Sequence, residues 1–256
     1  MIRRLRGLLI TDPAIVLETM FFGTISILTS FFDPKGLIQA RIARIWAKYV
    51  LILSGIEVVV EGLEQIDPNK SYVFVSNHAS YMDTPVALAN IHVQFRFLAK
   101  QGLFQVPFLG QHLSSTGHIP VPRDDPRAAV KTMQIAAETI REKKTSLLIF
   151  PEGGRTEDGK LQPFKEGGAY IAIRAGVPCV PVAMIGTHEV LPYGGAVIQS
   201  GRVILRVLKP IETSQLTLKD RGPLTDTLYQ LIASELGEQT DLAGIQNQKR
   251  QPNAAA

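Results

Sequence analysis

His78 and Asp83 stand five positions apart in the stretch NHASYMD, directly after the apolar run SYVFVS. A neutral imidazole takes a proton from an attacking hydroxyl near neutral pH. A carboxylate on its other nitrogen fixes the tautomer and stabilises the imidazolium as it forms. The same residues also read as a helix start, with Asp83 as N-cap, Pro85 in the first turn and His78 as a loop histidine. Half of a metal site is the third alternative. The spacing by itself does not choose among the three.

Three later stretches place charge where an anion would be held. In FPEGGRTEDG (150–159), Pro151 breaks an apolar strand and Glu152 and Arg155 follow on a turn with Gly153 and Gly154. Glycine lets the backbone approach a ligand closely, and the planar arginine fork suits phosphate oxygens. A surface turn with a local Glu–Arg pair explains the stretch equally well. STGHIPVPRD closes a strand-like segment with Arg123, for which a solvated arginine is the plainer alternative. PFKEGG sets Lys165 before Gly167 and Gly168 at a helix start, where an anion could sit or where lysine is merely exposed.

Other chemistries lack their residues. Ser80 has no G-x-S-x-G setting. No zinc spacing joins His78, His92, His112, His118 and His188, so no metal site is expected. Dinucleotide and Walker fingerprints are missing. The single cysteine, Cys179, excludes an internal disulfide framework and reads as a small buried residue within GVPCVPVAMIG. GTHEVLP, with His188 and Glu189, either lines a site or is a polar loop after a buried strand.

The elements that must position these residues are legible as short apolar runs. IEVVVEG, SYVFVSN, FRFLAK, GHIPVP, SLLIFPE, CVPVAMIG and RVILRVLKP each suit a strand. Between the fourth and fifth, Val130, Met133, Ala137 and Ile140 form a helical stripe, with Pro126 at a first-turn position. Further helices are expected from near Phe164 to a cap at Gly176, and from about Pro223 to Leu236. Strands alternating with helices predict an α/β sheet covered on both faces, with ligands at the strand ends.

The charge is unevenly placed. Net charge is +4. Residues 1–50 hold seven basic side chains (Arg3, Arg4, Arg6, Lys35, Arg41, Arg44 and Lys48) against three acidic, so this segment carries the whole excess. The apolar stretch Ala14 to Phe32 would form a helix of roughly 28 Å, marginal for crossing a bilayer core. In LIQARIARIWAKYVLIL, the residues Ile38, Ile42, Ile45, Tyr49 and Ile52 recur at helical steps, and Arg41, Arg44 and Lys48 recur on another face. That pattern suits a helix lying on an anionic membrane surface, although the stripe could instead pack on the globular body. Nucleic acid is not an expected partner, because the body of the chain has no basic stripe interleaved with aromatics. We expect membrane-associated helices at 1–54, a catalytic domain at 55–237 and a polar tail at 238–256.

Taken in order, the blocks resemble the glycerolipid acyltransferase family, bacterial 1-acyl-sn-glycerol-3-phosphate acyltransferases in particular. NHASYMD is similar to the family's N-H-x-x-x-x-D block, GHIPVPR to its second block and FPEGGRT to its F-P-E-G-T-R-S block. VPVAMIGTHEVLP is similar to the fourth, and the likeness spans about residues 70–192. Gly154 departs from the usual threonine, and Thr156 from the usual serine. The resemblance implies a mixed α/β sheet with an amino-terminal two-helix membrane-binding appendage. It implies His78 as general base oriented by Asp83, with Arg155, Glu152 and Arg123 binding or organising a glycerol phosphate. It also implies transfer of an acyl group from acyl-CoA or acyl carrier protein to lysophosphatidic acid, without a further cofactor, at the cytoplasmic face of the inner membrane. Another lysophospholipid or a lyso-ornithine lipid as acceptor, and a non-catalytic lipid-binding protein, are the alternatives.

Overall fold

The computed structural model describes residues 7–33, 36–122 and 125–237. Arg123, the basic residues Arg3, Arg4, Arg6 and Lys35, and the tail 238–256 lie outside that set. Eight α-helices are described: α1 (Asp12–Ser30), α2 (Leu37–Ser54), α3 (Asp83–Asn90), α4 (Leu109–Ser115), α5 (Pro126–Lys143), α6 (Gly167–Ala175), α7 (Thr187–Val190) and α8 (Arg221–Leu236). The strands are β1 (Ile56–Glu61), β2 (Val73–Ser76), β3 (Phe95–Lys100), β4 (Ile119–Val121), β5 (Ser146–Ile149), β6 (Cys179–Ile185) and β7 (Gly201–Val207). Each strand falls within one of the seven apolar runs or starts one residue ahead of it.

The strands form one sheet in the order β1-β7-β6-β2-β5-β3-β4. The run from β6 to β4 is parallel, β7 is antiparallel to β6, and β1 is parallel to β7. The sheet is therefore mixed. Strands β2 and β5 are buried throughout, which explains their unbroken apolar sequence: each residue meets a core on one side or the other. Phe74 and Leu148 point into a cluster that holds Val50 and Leu51 of α2 and Val86 of α3. Val73, Val75 and Leu147 point into a second cluster with Ile140 of α5, Ile171 of α6 and Leu228 of α8. Burying a side chain of this size contributes roughly 1.5–3 kcal/mol, so the two layers hold the sheet from both faces.

Local signals set the helix ends. The Asp125 side chain accepts the backbone N–H of Arg127 and of Ala128 ahead of Pro126, which opens α5. Helix α6 stops at Gly176, whose φ of 68° is left-handed. Helices α4 and α7 carry no strong periodic signal and were not anticipated.

Helix α2 divides its faces in an instructive way. The face packed on the body is Gln39, Ala43, Ala47, Val50, Leu51 and Ser54, small or polar for the most part. Ile38, Ile45, Tyr49 and Ile52, from the apolar stripe, remain exposed. Arg44 does not share the outward basic face expected of it. Its guanidinium turns inward and donates to the carbonyls of His92 (2.6 Å) and Val93 (2.8 Å), just beyond α3. Helix α1 packs on α2 and α4 and buries only Ser26, while Val16, Leu17, Met20 and Phe21 are exposed. By length and composition α1 is sufficient to cross a membrane.

Candidate active site

The site begins where β2 ends. Asn77 clasps the neighbouring strand, its Nδ2 donating to the Met184 carbonyl (2.9 Å) and its Oδ1 accepting the Met184 N–H (2.8 Å). The next residue, His78, is thus fixed at the carboxyl end of a central strand. Its Nδ1 lies 2.8 Å from Asp83 Oδ2. That same oxygen accepts the backbone N–H groups of Ala79 and Ser80, both at 2.9 Å. The helix-cap alternative fails on this geometry, because the carboxylate folds back onto amides that precede α3. With Nδ1 given to a carboxylate, Nε2 is the proton acceptor left for a substrate.

Phe150 stacks on the imidazole, with ring centroids 4.0 Å apart and planes 13° off parallel. Phe97 stacks on Phe150 in turn, and His118 on Phe97. These four rings form a column along the wall of a cavity of about 1090 Å³. The cavity runs from His78 to Phe22 and Gly23 of α1 and Ile42 and Trp46 of α2, and its lining is largely apolar. Val16, Met20, Val106 and Phe108 line it and are also exposed, which marks an apolar mouth. Trp46 donates its indole N–H to Thr19 Oγ1 (3.0 Å), tying α2 to α1 in this wall.

The expected anion-binding residues separate into groups. Arg155 is half-buried, its guanidinium carbon 3.4 Å from the Tyr81 ring centroid and 4.8 Å from that of Tyr193. Tyr81 lines the cavity, and Arg155 packs on its ring without itself being among the lining residues. Lys165 and Gly153 line the cavity directly. Gly153 has a φ of +80°, and a Cβ there would lie 2.7 Å from Lys165 Nζ, so glycine makes the close approach possible. Gly154 continues the same turn before Arg155. Gly168 serves packing, since a Cβ on it would press on Val75 and Ile149.

Glu152, expected to bind or organise the phosphate, engages backbone amides. Its Oε1 accepts the backbone N–H of His78 (2.6 Å) and its Oε2 that of Gln162 (2.9 Å). A carboxylate so engaged braces the histidine loop and would repel a phosphate. The Thr156 N–H adds a third tie by donating to the His78 carbonyl (3.2 Å). Arg123 lies outside the described residues. Two side chains at the site escaped sequence reasoning. Lys100 lines the cavity at the C-terminal end of β3, a strand-end cation that motif spacing alone did not mark. Tyr193 follows α7 in a loop with no residue pattern of its own.

At the far end of the ring column a polar joint links the helices. His112 Nδ1 and Ser26 Oγ share a hydrogen bond of 2.6 Å. Gln39 Nε2 donates to the Ser26 carbonyl (3.1 Å) and to Ser115 Oγ (2.7 Å). Burial, helped by the Arg96 charge, pushes His112 down to about 4, and burial holds His118 well below the usual histidine range. The His118 Nδ1 accordingly accepts the Phe97 N–H at 2.8 Å. Burial also pushes the Cys179 thiol up to about 12, which leaves it an inert core residue. His188 lies against Gly159 and not among the residues that line the cavity.

Fold and site together define a mixed α/β protein with a histidine–aspartate pair opening on a large apolar cavity. The chain belongs to the acyltransferase family, whose model matches residues 57–185. It is similar to the chloroplastic 1-acyl-sn-glycerol-3-phosphate acyltransferase LPAT1 of Arabidopsis thaliana, at 32% identity over 93% of this chain and 65% of that protein. The enzyme of that name from Saccharomyces cerevisiae is 30% identical over 85% of this chain and 73% of its own length. A chloroplastic relative from Brassica napus is 35% identical, but the matched part covers only 51% of it. The chain thus spans less than two thirds of some of the relatives it matches. The crystal structure of the 1-acyl-sn-glycerophosphate acyltransferase PlsC from Thermotoga maritima shares the fold, with a TM-score of 0.73, 24% identity and coverage of 98% of this chain and 99% of that one.

Proposed function

We propose that the chain transfers an acyl group from acyl-CoA or acyl carrier protein to the 2-hydroxyl of 1-acyl-sn-glycerol 3-phosphate, forming phosphatidic acid. The observation that carries this is the His78–Asp83 pair, 2.8 Å apart, at the wall of a cavity of about 1090 Å³. The names of the relatives from Arabidopsis thaliana and Saccharomyces cerevisiae support the same acceptor.

His78 Nε2 takes the proton of the 2-hydroxyl as that oxygen adds to the thioester carbonyl. Asp83 stays ionised and stabilises the imidazolium through Nδ1. The tetrahedral intermediate then collapses, the carbon–sulfur bond breaks, and the imidazolium returns its proton to the departing thiolate. The products are an ester and a free thiol. The sequence of steps uses no covalent protein intermediate, metal or resident cofactor. Arg155 and Lys165 hold the acceptor phosphate, joined by Arg123 on the strength of the family resemblance. The apolar cavity takes acyl chain.

Residues 1–54 act as the membrane-binding part, 55–237 as the catalytic part and 238–256 as a tail, at the cytoplasmic face of the inner membrane. The exposed apolar residues of α1 and α2, such as Phe21, Ile45 and Ile52, support this placement. The test is turnover of lysophosphatidic acid by purified protein with each thioester donor. His78→Ala is expected to lower kcat by about 10³–10⁴-fold while vesicle binding is unchanged. Retained turnover in that variant defeats the mechanism. Product from a neutral-headed lysolipid but none from lysophosphatidic acid defeats the role given to Arg155 and Lys165.

A further inference from the structure

We propose that Tyr193 is a positioning residue that orients the acceptor phosphate by acting through Arg155. This rests on Arg155 as a phosphate-binding cation and adds the group that aims it. An arginine side chain has many rotamers, and a long reach gives little precision by itself. Here the guanidinium carbon lies 3.4 Å from the Tyr81 ring centroid and 4.8 Å from that of Tyr193. Aromatic contact engages the face of the guanidinium and leaves its N–H edge for a bidentate grip on phosphate oxygens.

Tyr193 is well placed to set that plane. Its loop is tied to the catalytic loop by Ser80 Oγ, which donates to the Leu191 carbonyl at 2.8 Å. The loop is closed by the Gly195 N–H on the Pro192 carbonyl (2.9 Å) and the Gln199 N–H on the Val190 carbonyl (2.8 Å). One tether therefore sets Tyr193 in register with His78, Asp83 and Tyr81. Tyr193 is 45% exposed and belongs to neither core cluster, so core packing does not account for it. Its contact with Arg155 does.

Steady-state kinetics with lysophosphatidic acid varied at saturating acyl-CoA, in detergent, test the assignment. Tyr193→Ala is expected to raise the acceptor KM about three- to tenfold, with kcat within about twofold and the donor KM unchanged. Tyr193→Phe restores the ring and should recover the KM. In an Arg155→Ala background the tyrosine substitution should add nothing further. Should alanine unfold the loop, Tyr193→Leu, apolar but not aromatic, gives the same contrast. An unchanged KM in Tyr193→Ala, a Tyr193→Phe protein as impaired as Tyr193→Ala, or an equal penalty with and without Arg155 each overturns the assignment alone. A wild-type protein inactive on lysophosphatidic acid overturns the proposed reaction and this inference with it.

Discussion

Asp83 gathers three hydrogen bonds on one oxygen, from the His78 ring and from the amides of Ala79 and Ser80. Glu152 does similar work from the other side of the histidine, through the His78 and Gln162 amides. A carboxylate that braces backbone and one that touches substrate respond differently to loss of charge. Glu152→Gln places an amide nitrogen against one backbone N–H and removes a charge-assisted bond worth about 1.5–3 kcal/mol. We expect kcat to fall about 10- to 100-fold with the acceptor KM within about twofold, measured by initial rates. A lowered acceptor KM would instead mean that the carboxylate faces the phosphate. The His78–Asp83 pair was legible in sequence because five residues and one turn contain it. The brace that Glu152 provides, the inward turn of Arg44 and the place of Tyr193 were not legible, because their partners are distant in the chain. His78 precedes Glu152 by 74 positions, and only the parallel pairing of β2 with β5 brings them together.

At the scale of elements, the joint between α1, α2 and α4 predicts a pH response. His112 titrates at about 4 when folded and near 6.5 when unfolded, so the unfolded chain binds the extra proton first. Its contribution is complete above about pH 6.5 and is lost as pH falls toward 4. The loss across that window is roughly 3 kcal/mol, and His118 acts with the same sign. Urea unfolding at pH 7, 5.5 and 4.5 should show the decline, and His112→Gln should flatten it. An equally steep decline in that variant assigns the effect elsewhere. The strands were readable because sheets buried on both faces demand unbroken apolar runs, as in SLLI of β5. Helix α4 was not, since LGQHLSS is short and polar and its place depends on Ser26 and Gln39.

For the whole molecule, the surface around the cavity mouth is the notable property. Ile38, Ile45 and Ile52 of α2 are exposed and do not line the cavity, so they can be changed without touching the site. Replacing all three with Asn should weaken binding to anionic vesicles at least about tenfold, because each apolar side chain brings about 1.5–3 kcal/mol on burial. Turnover of a water-soluble short-chain acceptor should stay within about twofold. Vesicle binding equal to wild type in a co-sedimentation assay would take the bilayer contact away from this face. Of the apolar stripe read from the sequence, Ile38, Ile45, Tyr49 and Ile52 stay outside while Ile42 lines the cavity, and nothing in the pattern marked small residues such as Ala43 and Ala47 as the face that seats the helix. Trp46 sits on that helix, bonded to Thr19 and facing the cavity, and it is the chain's single tryptophan. The molecule therefore carries its one tryptophan in the wall of its apolar cavity, and an acyl chain that entered and dried that wall should alter the tryptophan emission without any label.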